Sequence, residues 1–163
     1  TTLIVLALRR GSGAVEVVKD VSWSVLPLVA GLFVLVEALE KTGVLAMIAD
    51  ALKQAATAAP TETAWGAGAL IAIACNFVNN LPAGLIAGAA VQAAHVPEKV
   101  AGAVLIGVDL GPNLSVTGSL ATILWLTAIR REGQDVSFWS FLKLGLVVMP
   151  PALALALAGL LLV

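Results

Sequence analysis

The chain has 163 residues, of which 60% are hydrophobic and 12% charged, with a formal net charge of −1. An ordinary soluble domain is about half apolar and about a quarter charged. A water-soluble fold of this length could not hide so much apolar surface, so lipid is the expected solvent for most of the chain. The charge balance leaves no basic footprint for nucleic acid, and a lone Cys75 excludes an internal disulfide framework or a paired-thiol zinc site.

The chain opens on Thr1, Thr2 and Leu3, and residues 1–8 read as the end of a helix whose start is missing. This points to a fragment, the C-terminal part of a larger protein. A cleavable signal pattern is not expected, because the opening apolar run is short and Arg9 and Arg10 follow it rather than precede it. Residues 9–21 form a polar connection. From Trp23 to Leu39 the chain is apolar apart from Ser24 and Glu37, and residues 22–39 predict a transmembrane helix, with Pro27 near its first turn where a missing N–H does little harm. Residues 43–58 are short and amphipathic: Val44, Leu45, Ile48 and Leu52 share a face that Asp50, Lys53 and Gln54 avoid. They predict a helix lying in the membrane interface, ended by Pro60.

Residues 63–94 are unusual. An apolar run reaches Cys75, then Asn76, Asn79, Asn80 and Pro82 intervene, and a second Ala/Gly-rich run follows. Each run alone is too short for a bilayer of about 30 Å at about 1.5 Å per residue. A re-entrant hairpin with a polar tip is the expected solution. Residues 98–130 repeat the theme, with Asp109, Gly111, Pro112, Asn113, Ser115, Thr117 and Ser119 between two apolar runs. They predict a discontinuous transmembrane helix. Residues 138–163 predict a final span, kinked at Pro150 and Pro151, with Lys143 near its start. Trp23, Trp65, Trp125 and Trp139 are the interfacial aromatic candidates.

If the hairpin re-enters, the loops at 9–21 and 130–137 share one side with Arg9, Arg10, Lys19, Arg130, Arg131 and, by snorkelling, Lys143. Lys41, Lys53 and Lys99 fall on the other. Every Arg then lies on one side, which makes that side cytoplasmic and the C-terminus extracytoplasmic.

Interrupted apolar segments mark the sites of secondary transporters, since half-helix ends leave partial charges and unpaired N–H and C=O groups deep in the membrane. Asn76, Asn79, Asn80, Pro82, Gly111, Pro112, Asn113, Ser115 and Thr117 are the expected solute-binding positions. Plain helix capping, or a Pro-kinked helix with Ser and Thr bonded back to its own carbonyls, are the rival readings. Asp109 is the carboxylate well inside a span, and it is the candidate for carrying a proton or coordinating a cation. Its rival role is a cap or an ion partner for a basic residue elsewhere. Cys75 as a metalloid ligand competes with simple packing, and the bland reading is preferred. Glu37 and His95 are taken as interfacial. Gly66, Gly68, Gly84, Gly88, Gly102 and Gly107 are expected to serve close helix packing. The residues contain no nucleophile–base pair, metal-ligand cluster or phosphate-binding loop, so a transporter without a cofactor is expected, not an enzyme.

The stretches from Cys75 through Asn79, Asn80 and Pro82 to Ala83, and from Gly107 through Asp109, Gly111, Pro112 and Asn113 to Ala121, resemble the arsenical pump membrane protein family. This family of arsenite and antimonite exporters belongs to the wider ion transporter superfamily. The resemblance runs from Trp23 to the end. It implies an all-α polytopic scaffold of two inverted repeats, each with a re-entrant hairpin and a broken helix, of which this chain would be one. It further implies efflux of trivalent arsenic and antimony through the cell inner membrane, driven by the proton gradient or by a soluble arsenite-stimulated ATPase partner. The lipid bilayer and the missing N-terminal half are the other partners implied, and a homodimer stays open. The alternatives are a sodium- or proton-coupled transporter of another small solute on the same scaffold, such as a dicarboxylate carrier or a Na⁺/H⁺ antiporter, and a non-transporting membrane scaffold subunit.

Overall fold

The computed structural model describes Trp23 and residues 25–163, so the expected helix end at 1–8 and the polar connection at 9–21 lie outside the described residues. The described part is all-helical: α1 (Val25–Lys41), α2 (Val44–Ala58), α3 (Pro60–Val78), α4 (Asn80–Ala94), α5 (Glu98–Leu110), α6 (Leu120–Arg131) and α7 (Phe138–Leu162). Two 3₁₀ turns, Gly111–Leu114 and Val116–Gly118, stand between α5 and α6.

The chain divides into two units within α1, after Val34. In the first, the opening of α1 exposes Leu26, Phe33 and Val34. All packing described below belongs to the second unit.

Local chemistry sets the helix ends. Gly43 adopts the left-handed φ of 79° that lets the chain pass from α1 into α2. Thr42 adds a hydroxyl bond to the Leu39 carbonyl at 2.8 Å. Pro60 opens α3 at its first position, where a missing N–H costs nothing. His95 closes α4 with a left-handed φ of 51°.

The packing directions follow from close approaches between backbones. A Cβ on Gly68 would meet the Ala103 carbonyl, one on Gly107 the Gly68 carbonyl, and one on Gly111 the backbone of Ala72. Both numbers rise together, so α3 and α5 run parallel, almost backbone to backbone. Leu157 packs on Gly68, Leu160 on Gly102, and the Asn113 and Leu114 carbonyls on Gly145, so α7 runs antiparallel to both. Gly84 lies against Val108, and Gln92 shares a cleft with Ala101, so α4 returns antiparallel to α5 and hence to α3. The segment 63–94 thus falls on an antiparallel pair turned at Asn79. The core joins Ala56, Ala64, Ala72, Val100, Ala103, Met149, Leu153 and Leu157 from four helices. Its many alanines and glycines allow the approach, because small side chains let helix backbones meet. The glycines do not act alike: Gly66 and Gly88 face open space.

The outer surface is apolar. Phe77, Leu70, Val147 and Leu155 are all more than two-thirds exposed. Among the described residues one helix, α7, is long and apolar enough to cross a membrane. It runs unbroken through Pro150 and Pro151 as a single 25-residue element. At 17 residues α1 sits at the short limit for a span. Lys99 on the first turn of α5 donates from Nζ to the Leu161 carbonyl at 3.2 Å, a cation placed on the last turn of α7.

Candidate functional site

The C-terminal ends of α3 and α5 meet, and α4 and α6 start from the same place. The meeting point is built on Asn76. Its amide nitrogen donates both hydrogens, to the Ala72 carbonyl at 2.8 Å and across to the Gly111 carbonyl at 2.9 Å. Its Oδ1 accepts from the Ser115 hydroxyl at 2.9 Å. The Thr117 hydroxyl donates to the Asn76 carbonyl at 3.0 Å and lies 3.2 Å from the Ser115 hydroxyl. Asn79 completes the set, donating from Nδ2 to the Thr117 carbonyl at 3.1 Å.

The need for these bonds is legible in the backbone. In a continuous helix the Gly111 carbonyl would accept from the N–H of Ser115, four residues on. Here residues 111–114 form a 3₁₀ turn and Ser115 is extended, with φ −135° and ψ 158°, so the regular helix stops. Asn76 adds a donor to the Gly111 carbonyl from a different helix. Ser115 is buried, and no buried side-chain nitrogen or oxygen among the described residues lacks a partner. That is the condition for a polar cluster to persist inside an apolar body.

The two helix starts are capped by side chains. Asn79 Oδ1 accepts from the Leu81 N–H at 3.2 Å, and Ser119 Oγ from the Ala121 N–H at 3.1 Å. Asn79 turns the chain with φ 72° and ψ 150°, a region that glycine nearly monopolises. Pro82 is the third residue of α4, where it has no N–H left to satisfy. At the carbonyl ends, the Asn76 carbonyl of α3 accepts from the Thr117 hydroxyl, and Asn113 lies within reach of the Asp109 and Leu110 carbonyls of α5.

The structure separates the candidates that the sequence grouped. Asn76, Asn79, Ser115 and Thr117 come together with the backbone of Gly111 and Pro112. Asn80 sits beside them, half-buried, and its amide makes no hydrogen bond among the described residues. Asn113 turns back instead: its Nδ2 donates to the Leu110 carbonyl at 3.0 Å, and it lines an open cleft of about 250 Å³ with Phe141, Leu144, Gly145, Val148 and Met149. Asp109 is exposed and unpaired among the described residues. It lies two positions from both Gly107 and Gly111, which face α3, and so occupies the opposite side of α5. Cys75 is fully buried, out of reach of a solute arriving through water.

Two positions of the site were not anticipated. A Cβ on Gly118 would stand 2.5 Å from the Pro112 carbonyl and 2.7 Å from Asn76 Oδ1, so the second 3₁₀ turn closes over the amide only because this residue is glycine. A Cβ on Gly145 would stand 2.6 Å from the Leu114 carbonyl, which lets α7 clasp the interruption by its backbone. The signal available was a glycine inside a polar motif and a single glycine in an otherwise bulky span.

Comparison with known proteins finds relatives among membrane pumps and transporters. The chain is 27% identical over 93% of its length to an arsenical pump membrane protein of Escherichia coli, covering 36% of that protein. It is 26% identical over 98% of its length to one from Yersinia enterocolitica, covering 39% of it. An uncharacterized transporter of Mycobacterium bovis is 32% identical over 86% of the chain, which covers 34% of that protein. The chain thus spans a little over a third of the length of the curated relatives it matches. No solved structure matches it. A profile of the arsenical pump membrane protein family matches residues 2–163, nearly the whole sequence, and the chain belongs to that family.

Proposed function

We propose that the chain forms one repeat of a secondary membrane transporter that exports arsenite and antimonite, with its solute site at the joined interruptions around Asn76 and Thr117. The observation that carries this is the meeting of two polar interruptions, each starting a new helix, inside an otherwise apolar helical body. On this reading α3 and α4 re-enter the membrane from one face, and α5 and α6 are the halves of one broken span. Neutral As(OH)₃, the main form of trivalent arsenic at neutral pH, offers hydroxyl oxygens that suit the free Asn80 amide and two positive helix ends. Asn76, Asn79, Asn80, Pro82, Gly111, Pro112, Asn113, Ser115 and Thr117 make up the solute site together with the wall that supports it. Asp109, unpaired on the outer side of α5, carries the coupling proton or cation. On this reading a second, inverted repeat of the full-length protein completes the site from the other side. The protein sits in the inner membrane with the loops at 9–21 and 130–137 in the cytoplasm and the C-terminus outside. The close pairing of Lys99 with Leu161 supports placing both at one membrane face, away from Arg130 and Arg131.

The test is arsenite uptake into everted vesicles containing the full-length protein, under imposed proton and sodium gradients. Export driven by the proton gradient predicts accumulation that collapses with an uncoupler. Accumulation only on adding a soluble ATPase with ATP would assign the energy source to that partner. A second reading is favoured by the mycobacterial relative, whose name specifies a transporter and no substrate at the higher identity of 32%. It is a proton- or sodium-coupled carrier of another small solute. Vesicles that ignore arsenite but take up a dicarboxylate or exchange sodium for protons would establish it. A protein that transports none of these, and tolerates Asn80→Ala and Asp109→Ala, would be a non-transporting scaffold.

A further inference from the structure

We infer that Asn76 is a positioning residue rather than a solute ligand: it is the joint of a latch, shared with Ser115 and Thr117, that makes the α3 end and the 3₁₀ passage a single body. The inference rests on the transport reading for its role, and on the hydrogen-bond geometry for its mechanism.

The bookkeeping of Asn76 is complete. A primary amide has two donors, and both are occupied by carbonyls, at 2.8 and 2.9 Å. Its oxygen holds the Ser115 hydroxyl, and Gly118 sits against that oxygen with no room for a larger residue. A solute has no donor left to take. Asn80 is the contrast, since it makes no side-chain bond among the described residues and stands at the first position of α4. The two amides therefore divide the work: Asn80 faces the solute, and Asn76 holds the wall that faces it.

The latch also explains the order of dependence. The Gly111 carbonyl, the Ser115 hydroxyl and the Thr117 hydroxyl all come from the 3₁₀ passage, and all three bond to Asn76. Asn79 adds a fourth tie at the Thr117 carbonyl. Movement of the α3–α4 turn must then carry residues 111–118 with it, or break several hydrogen bonds at once. Alternating access on this chain would move the turn and the 3₁₀ passage together.

The experiment uses the full-length protein in everted vesicles with arsenite as the probe, and a Cys75→Ala background with spin labels at the exposed positions Val78 and Ala121. Asn76→Asp keeps the size and removes both donors. It should lower the maximal rate by about tenfold or more, as expected when a positioning group is lost. The half-saturating arsenite concentration should stay within about twofold. The label distance, single-valued in the parent, should broaden. Asn80→Ala should do the reverse, raising half-saturation and leaving the distance sharp. Should Asn76→Asp fail to reach the membrane, Ser115→Ala and Thr117→Val each cut one tie to Asn76, along with the contact between the two hydroxyls, and carry the same two readouts, with smaller effects. A raised half-saturation with an unchanged distance distribution would make Asn76 a contact residue and overturn the latch. If the parent protein moves no arsenite, the transport reading falls while the label distances still decide whether the latch exists.

Discussion

The two interruptions solve one problem in different ways. Between α3 and α4 the chain turns on a single residue, Asn79, whose own side chain caps the helix that follows. Between α5 and α6 it takes two 3₁₀ turns and an extended Ser115. The short turn concentrates its cost in one strained residue. The long passage spreads it over several residues and is tied to its neighbour, with Asn76 donating to the Gly111 carbonyl. A break can be self-sufficient when it is short, whereas a long one must borrow from its neighbour.

Five substitutions at four positions probe this contrast. Gly111→Ala should have the largest effect, because its Cβ would fall on the backbone of Ala72 where α3 and α5 touch. A loss of about 3 kcal/mol is expected, seen as a lower melting temperature and a shrinking monodisperse peak in detergent. A variant as stable as the parent would mean that the two helices are not in backbone contact. Asn79→Ala comes next, at about 2 kcal/mol, since it loses a cap and the tie to Thr117 while keeping the strained φ. Asn79→Gly should stay within about 1 kcal/mol of the parent, because relief of backbone strain offsets the lost bonds. If glycine proves as damaging as alanine, the turn is not strained. Ser119→Ala, which removes the cap of α6, should cost about 1 kcal/mol by thermal unfolding. An effect as large as that of Asn79→Ala would show that the long passage depends on its own cap rather than on its neighbour. Asn80→Ala should change stability least, by less than about 0.5 kcal/mol, yet weaken arsenite uptake. A clear drop in melting temperature would show that Asn80 is structural.

Much of the architecture was legible in the residue order. Helix breaks are written in local chemistry, and Asn76, Asn79, Asn80 and Pro82 stand out in an apolar run as Gly111 and Pro112 do in the next. Partnership is not local. Nothing in the spacing says that α3 lies parallel to α5, because that depends on which small residues from distant segments meet. Asn76 therefore reads as one more polar residue at a tip, although its amide reaches 35 positions along the chain to the Gly111 carbonyl. The adjacent pair Asn79 and Asn80 looks uniform in sequence, yet the backbone gives one residue the turn and leaves the other's amide free. For Asp109 the depth along α5 was readable, but its outward side depended on knowing that Gly107 and Gly111 face α3.

Pro150 and Pro151 give α7 an uneven stiffness. Neither can donate to the carbonyls one turn back, at Leu146 and Val147, so the rod is weakest just beyond Gly145. On one side of that soft joint α7 clasps the Leu114 carbonyl, and on the other Leu153 and Leu157 are fixed in the core. Flexure there would let the clasp travel with the interruption while the far half of the helix stayed seated, a lever whose fulcrum is built from two missing hydrogens.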